Sequence, residues 1–419
     1  MEIIVRGARV LDPSSPFHQQ TVDIALRDGI ITEVASRLDI SSAQVIDFPG
    51  LHLTPGWLDV FSHFCDPGFE YKETLESGAR SAAAGGYTDV LVVPNTSPVV
   101  HNKAAVAYVV ERSRTLPVRI HPIGAVSRNT EGKELAEMYD MHAAGALAFS
   151  DGTLPVQSSG LFLKALQYVV AINKTIIQLP DDRSLAPHGL MHEGVESTQL
   201  GLPGKPAIAE ELMIARDIEL VKYTGSSIHF TGISTARSLE LVRQAKAEGH
   251  KVSCSVTPYH LYFCDEDLRE YDTNLKVNPP LRTRADREAL RAGLLDGSID
   301  CVAAHHFPQD KDHKVVEFEY AHWGMIGLET ALAVVKTSLP QISVERLAEV
   351  FCFAPRRLFD LAPAPIQPGT EASLTMFLPD TSFTPLAYRS LSRNTPFTGQ
   401  TLTGKVIGII NKRTVFLNQ

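Results

Sequence analysis

The chain has 419 residues, of which 44% are hydrophobic and 21% charged, with a formal net charge of −9 at pH 7. This length can bury one large core, or a core and a satellite domain, and the composition is that of an ordinary globular protein. The negative charge argues against nucleic acid or an anionic membrane as the main partner, and no apolar stretch approaches the roughly 20 residues that span a bilayer.

Short strands are predicted at both ends of the chain, because apolar and polar residues alternate there between turn residues. Residues Arg27-Asp28-Gly29 form one such turn and predict a hairpin. The predicted strands are 3–5, 21–26, 30–34, 373–378, 404–410 and 413–417. Two β-rich ends around a different middle predict a small composite β-sandwich domain made of residues 1–52 and 360–419.

Residues 53–359 alternate apolar strand runs with longer helical patterns, which is typical of parallel βαβ units. The predicted strands are 53–60, 89–93, 119–123, 146–149, 174–178, 227–230, 251–256 and 300–304. The predicted helices are 75–84, 103–114, 160–172, 207–224, 234–248 and 286–295. This number of units in some 300 residues predicts an α/β fold, a (β/α)8 TIM barrel. A doubly wound sheet is the alternative, but no glycine-rich fingerprint supports it.

The N-terminal segment carries charges every few residues and predicts a strand rather than a signal peptide. The five cysteines are scattered and form no CxxC pair, so neither a disulfide framework nor a zinc ribbon is indicated. We therefore expect a cytoplasmic protein.

Several short motifs follow one another along nearly the whole chain. They are Asp59-Val-Phe61-Ser-His63-Phe-Cys65-Asp66-Pro67-Gly68, Pro94-Asn95-Thr96, Phe149-Ser150-Asp151-Gly152, Gly201-Leu-Pro-Gly204, Thr257-Pro-Tyr-His260-Leu261, Lys276-Val-Asn278-Pro-Pro280 and Asn394-Thr-Pro-Phe397. In this order they resemble the motifs of dihydroorotases of the bacterial multifunctional-complex type, within the amidohydrolase superfamily. The resemblance implies a barrel of the metallo-dependent hydrolase type, a split sandwich, and reversible closure of carbamoyl-aspartate to dihydroorotate in pyrimidine biosynthesis.

The family's chemistry depends on zinc, which polarises the cyclic amide carbonyl and lowers the pKa of bound water towards 7. In this sequence the resemblance aligns three of the family's histidine ligands with side chains that have no lone pair for a metal: Phe61, Leu179 and Gly232. The family's catalytic aspartate aligns with His305. The ligand candidates that remain are His63, Asp151 and His305. Because His305 and His306 are adjacent on a strand, they should point to opposite sides.

Substrate recognition is altered as well. The resemblance implies that an arginine and a histidine contact the substrate carboxylate, and these positions are Cys65 and Gln309. A thiol lacks the forked, charged donors of arginine. Asn95 and Asn278 match substrate-contacting asparagines, although both could equally cap local turns. We interpret these four residues as a vestigial substrate site.

Two hypotheses follow from the resemblance. The first is a dihydroorotase-like protein without a metal cofactor and without dihydroorotase activity, which acts as a structural partner of aspartate carbamoyltransferase and forms a homo-oligomer, most simply a dimer. The alternative is an active cyclic amidohydrolase that holds one Zn2+ with His63, Asp151 and His305, since three protein ligands and a water make a catalytic zinc site.

Overall fold

The computed structural model describes residues 2–39 and 43–418. The N-terminal segment forms strands β1 Glu2–Val10, β2 Thr21–Arg27, β3 Ile30–Ala35, β4 Gln44–Asp47 and β5 His52–Pro55. Strand β1 pairs antiparallel with β2 and parallel with β4 and β5. These strands bury alternating apolar side chains such as Val5 and Ile24 on one side of the sheet.

The middle of the chain forms a closed parallel barrel. The barrel strands are β6 Trp57–Ser62, β7 Tyr87–Val92, β8 Arg119–Pro122, β9 Thr175–Gln178, β12 Ser227–Phe230, β13 Val252–Val256 and β14 Cys301–Val302. Between β9 and β12, strands β10 Met191–His192 and β11 Gly204–Lys205 form a separate two-stranded ladder at the barrel mouth. Strands β6, β7 and β8 pair in one parallel sheet, and β9, β12, β13 and β14 in another. Phe149 bridges the two sheets on one side, and a bridge from Ser62 to His306 closes the ring on the other.

Helices surround the barrel, and several of them begin at a side chain that caps the first turn. They are α1 Leu75–Ala84, α2 Lys103–Ser113, α3 Met138–Ala143, α4 Ser159–Ala171, α5 Val195–Leu200, α6 Ile208–Thr224, α7 Ala236–Ala247, α8 Pro258–Tyr262, α9 Arg284–Asp296, α10 Ala331–Ser338, α11 Val344–Ala348 and α12 Ala354–Leu358, with a π-helical turn at Glu349–Phe353. The side chains of Thr74, Asn102 and Thr283 each accept a hydrogen bond from the third residue after them, which satisfies a backbone N–H at the start of α1, α2 and α9.

The C-terminal strands return to the N-terminal sheet. Strands β15 Ser373–Phe383, β16 Leu402–Asn411 and β17 Thr414–Leu417 extend it in the order β17-β16-β15-β5-β1-β2-β3. Both ends of the chain therefore build one sheet. No helix in the described part of the chain is long and apolar enough to cross a membrane.

The strand predicted over 53–60 is two strands in the structure. Strand β5 belongs to the terminal sheet and β6 to the barrel, and Gly56 lies between them. The Gly56 N–H donates to the carbonyl of Ser373 at 2.8 Å, and a Cβ at Gly56 would lie 2.0 Å from Oγ1 of Thr88. The chain therefore changes sheets where only glycine fits. The strand predicted at 146–149 is reduced to the bridges of Phe149.

Candidate active site at the barrel mouth

A cavity of about 450 Å³ opens near the C-terminal ends of the barrel strands, where TIM barrels carry their active sites. Its wall is mostly apolar with a few polar groups. The residues that matter for its chemistry are Phe61, Leu179, Asp181, Arg183, Lys276, Asn278, His305, Phe307, Gln309 and Trp323. A small, largely apolar cavity with a few polar groups is typical of a site for a small molecule.

Two of the positions aligned with metal ligands and catalytic groups pack against each other. The rings of Phe61 and His305 lie 4.7 Å apart between centroids. Nε2 of His305 is 2.8 Å from Oγ1 of Thr231, and burial lowers the pKa of His305 to about 3, so its imidazole is neutral at pH 7. The aromatic pair occupies this part of the barrel mouth.

His63 uses both ring nitrogens in hydrogen bonds. Its Nε2–H donates to the carbonyl of Asn95 at 2.7 Å, so Nδ1 is the acceptor for the thiol of Cys65 at 2.8 Å. Burial lowers the pKa of His63 to about 4 and raises that of Cys65. No ring nitrogen of His63 is left to coordinate a metal.

Asp151 is held in a network of its own. Its carboxylate accepts from the backbone N–H of Ser127 at 2.8 Å and from the Ser127 hydroxyl, while burial raises its pKa to about 6. The side chain of Asn95 donates to the backbone carbonyl of Asp151 at 3.0 Å and accepts from the N–H of Thr153 at 3.0 Å. Asn95 thus fixes the turn after Phe149, and neither Asn95 nor Asp151 is part of the cavity wall.

The side chains present do not fit a zinc ion. His63, Asp151 and His305 are each committed to protein partners, and Leu179 and Phe61 offer no donor atom. At Gly232, which aligns with a histidine ligand of the family, a Cβ would lie 2.5 Å from Cε1 of His305, so this ligand position is also closed. Across residues 2–39 and 43–418, no three His, Cys, Asp or Glu side chains are grouped so that they could hold a metal ion.

The four residues aligned with substrate contacts separate into two pairs. Asn278 and Gln309 line the cavity, whereas Asn95 and Cys65 are not part of its wall. His305 lines the cavity and His306 does not: Nε2 of His306 lies 3.2 Å from Oε2 of the buried Glu73.

An ion pair at the wall of the cavity is missing from the sequence prediction. Nζ of Lys205 lies 2.6 Å from Oδ2 of Asp181, and the same ammonium donates to Oδ1 of Asn278 at 2.9 Å. Asp181 is two residues after Leu179, so alternation along the strand end could have placed both side chains on the cavity side. Lys205 comes from β11, and only the fold brings it to Asp181.

Two further cations line the cavity. Arg183 is exposed at the rim. Lys276 is buried, donates to the carbonyls of Phe318 and Glu319 at 2.7 and 2.9 Å, and has its pKa lowered to about 8 by burial. Arg183 and Lys276 therefore bring positive charge to the mouth from positions other than Cys65 and Gln309.

Comparison with known proteins gives a consistent assignment. The Dihydro-orotase-like family model matches residues 50–238. The chain is 41% identical over 409 residues to a dihydroorotase of Pelotomaculum thermopropionicum, with 96% of each chain covered, and 39% identical over 414 residues to one of Syntrophus aciditrophicus, with 97% of each covered. Its fold resembles that of the L-hydantoinase (dihydropyrimidinase) of Arthrobacter aurescens, with a TM-score of 0.85, 26% identity, and 99% and 96% of the two chains covered.

These matches correct one expectation from the sequence. Dihydroorotases and hydantoinases are metal-dependent amidohydrolases that typically use zinc, so the expectation of no metal cofactor is wrong for a chain that matches them over nearly its whole length. The family's relatives use a metal ion, but the described side chains of this chain are not grouped so that they could hold one.

Proposed function

Because the chain belongs to the dihydroorotase family, we propose that it is a cyclic amidohydrolase of pyrimidine biosynthesis, whose mouth cavity binds dihydroorotate or its ring-opened form, carbamoyl-aspartate. The observation that carries this proposal is the near-full-length similarity to dihydroorotases, together with a cavity of suitable size at the barrel mouth. The barrel alone would not support it, since one fold hosts many activities.

The side chains of the cavity support binding of a small anionic amide. Arg183 supplies an exposed guanidinium at the rim, and a guanidinium pairs with a carboxylate through two parallel hydrogen bonds. The amide oxygen of Asn278 is taken by Lys205, which leaves its N–H groups as donors for a ligand carbonyl. Leu179, Phe307 and Val277 provide apolar contact for a ring.

A calorimetric titration with dihydroorotate tests this binding mode. We expect saturable binding that weakens about tenfold in Arg183→Gln, because one charge-assisted contact to the carboxylate is lost. Arg128→Gln is the matched control, since Arg128 is an exposed arginine paired with Glu134 outside the cavity. Absence of binding of both dihydroorotate and carbamoyl-aspartate to the intact protein would reject the proposal.

Ring opening is measured on the same preparations after expression with supplementary zinc. The proposal expects loss of the dihydroorotate ring above a protein-free blank, with the Syntrophus or Pelotomaculum relative as positive control. Binding without turnover would leave the ligand class standing and reject the hydrolytic part of the proposal.

One observation favours a second candidate function. Hydrocarbon side chains or a glycine stand at three ligand positions, Phe61, Leu179 and Gly232, which removes donors but leaves the fold intact. A chain of this kind could act as a structural partner of aspartate carbamoyltransferase, and as a homo-oligomer within that assembly. Co-elution with the aspartate carbamoyltransferase of the same organism, and higher transferase activity in the mixture, would support it. Separate elution at micromolar concentrations would reject it.

A further inference from the structure

Two acceptor oxygens on the wall of the mouth cavity lack hydrogen-bond partners. Oδ1 of Asp181 and Oε1 of Gln309 are both buried, and neither has a partner among the described residues. The two residues are 6% and 8% exposed, and both line the same cavity. Buried polar atoms in folded proteins are nearly always paired, so two unpaired acceptors at one cavity indicate a donor supplied from outside the chain, by a ligand or a bound water.

The Asp181 carboxylate is held in place on its other oxygen. Lys205 pairs with Oδ2 at 2.6 Å, and the Lys205 side chain is itself buried, with its ammonium 5.3 Å from the ring centroid of Trp323. Lys205 is also bonded to Asn278, so it cannot swing to cover Oδ1 without giving up that contact. The carboxylate therefore presents one oxygen as a charged, preorganised acceptor.

The orientation of the Gln309 amide follows from its neighbours. Its Nε2–H donates to the carbonyl of Trp323 at 2.7 Å. Rotating the amide by 180° would place its oxygen against that carbonyl, so the hydrogen-bond network fixes Oε1 as the unpaired end of the amide. The backbone N–H of Gln309 donates to Oδ1 of Asn394 at 3.0 Å, which fixes the residue further.

We propose that Asp181 and Gln309 form a double-acceptor subsite that receives the two N–H groups of a ureide, a compound in which two nitrogens flank one carbonyl. The ligand class rests on the proposed function, and Asp181 and Gln309 are added as the residues that determine specificity. A cyclic ureide offers two N–H donors and an apolar ring edge, which matches two acceptors in a wall that also contains Leu179, Leu190 and Phe307. A ligand carboxylate would be repelled by Asp181, and it is therefore directed to the rim at Arg183.

The test uses dihydrouracil, which carries both ring N–H groups and no carboxylate, and its N,N′-dimethyl derivative, which has no N–H donor. We expect calorimetry to detect dihydrouracil binding to the intact protein, and the dimethyl derivative to bind at least tenfold more weakly. Equal binding of the two compounds would overturn the inference.

Variants assign the effect to the two residues. Asp181→Asn keeps the shape and an oxygen for Lys205 but turns an N–H group towards the cavity, so dihydrouracil should bind at least tenfold more weakly. Gln309→Leu removes the second acceptor and should weaken binding at least threefold. Asp182→Asn is the matched control, because it makes the same change at the adjacent residue, whose carboxylate accepts hydrogen bonds from Ser184. This variant should leave dihydrouracil binding unchanged within twofold.

Thermal unfolding of each variant identifies a loss of fold. If Asp181→Asn does not fold, Gln309→Leu carries the test, because it leaves the Lys205–Asp181 pair in place. Unchanged binding in every folded variant would overturn the inference while leaving the proposed function standing. Binding of dihydrouracil but not of dihydroorotate or carbamoyl-aspartate would support the subsite and reject the proposed function. No binding of any of these compounds would reject both.

Discussion

Gly232 shows how tightly one residue is tied to the altered site. It has φ of +65°, and a Cβ added there would meet the ring of His305 at 2.5 Å. Gly249 has φ of +84°, and a Cβ added there would meet no atom within 4 Å. Substitution of Gly249 by alanine therefore measures the cost of the left-handed backbone alone. We predict that Gly249→Ala costs about 1–2 kcal/mol of stability, and that Gly232→Ala costs about 1–3 kcal/mol more because of overpacking.

Denaturant titration of the two alanine variants measures this difference. Adding His305→Ala to Gly232→Ala should recover most of the excess, since the clashing ring is gone and the two residues are coupled. Equal losses in Gly232→Ala and Gly249→Ala would show that the His305 ring gives way at no cost.

Individual residues also show which parts of the site can be predicted from the sequence. The motifs that flank Phe61, Leu179 and Gly232 align them with histidine ligands of the family, so the sequence alone predicts an altered metal site. The Lys205–Asp181 pair was not, because the two residues lie 24 positions apart and are joined only by tertiary packing. The pairing of His63 with Cys65 was equally hidden, since it depends on which ring nitrogen faces which neighbour.

Helix α6 depends on a buried glutamate near its start. Glu210 accepts from the N–H of Ser234 at 2.8 Å, which joins α6 to the connection between β12 and α7. It also lies 3.7 Å from the buried guanidinium of Arg282, which donates in turn to the backbone carbonyl of Lys205. We predict that Glu210→Gln destabilises the protein by about 3–5 kcal/mol, because it leaves the Arg282 charge buried without its partner.

The matched control is Glu219→Gln on the same helix, where an exposed carboxylate pairs with Lys222. Exposed pairs contribute about 0–1 kcal/mol, so this variant should unfold close to the native midpoint. Similar midpoint shifts for the two variants, measured by denaturant unfolding, would contradict the role given to Glu210.

At the level of elements, the long helices could be predicted from local sequence, whereas the sheet to which a strand belongs could not. The predicted helix 75–84 coincides with α1, because a capping threonine and an apolar stripe define it locally. The run at 53–60 reads as one strand in sequence, since nothing local shows that β5 and β6 belong to different sheets. Strand β4 was not predicted, because it is short and its pairing with β1 is a long-range contact.

For the whole molecule, the β-rich ends predicted one sheet, but its strand order and its attachment to the barrel came only from the structure. Close to that attachment, Asp89 of β7 accepts from Arg356 at 2.6 Å, Arg119 at 2.8 Å and His121 at 2.8 Å. Arg356 also donates to the carbonyl of Gly56, where the chain crosses between the two sheets. This buried carboxylate thus links β7 and β8 to helix α12 and, through Arg356, to the crossing at Gly56.

We predict that Asp89→Asn destabilises the protein by about 3–5 kcal/mol at pH 7, because the cations around it lose their buried counter-charge. Burial alone would raise the pKa of Asp89, but Arg356, His121 and Arg119 lower it well below its usual range. The unfolded chain therefore binds a proton near pH 4 that the folded chain does not, so the stabilisation is present above about pH 4 and is lost as the pH falls further.

Urea unfolding at a series of pH values tests both parts of this prediction. The difference in unfolding free energy between the native protein and Asp89→Asn should be constant from pH 7 to about pH 5, and should shrink by at most about 1.4 kcal/mol per pH unit below pH 4. Asp380→Asn, at an exposed aspartate of β15 that pairs with Lys336, is the control and should change the free energy by less than about 1 kcal/mol. A difference for Asp89→Asn that is equally small at pH 7 would mean that apolar packing, and not this carboxylate, holds the sheet to the barrel.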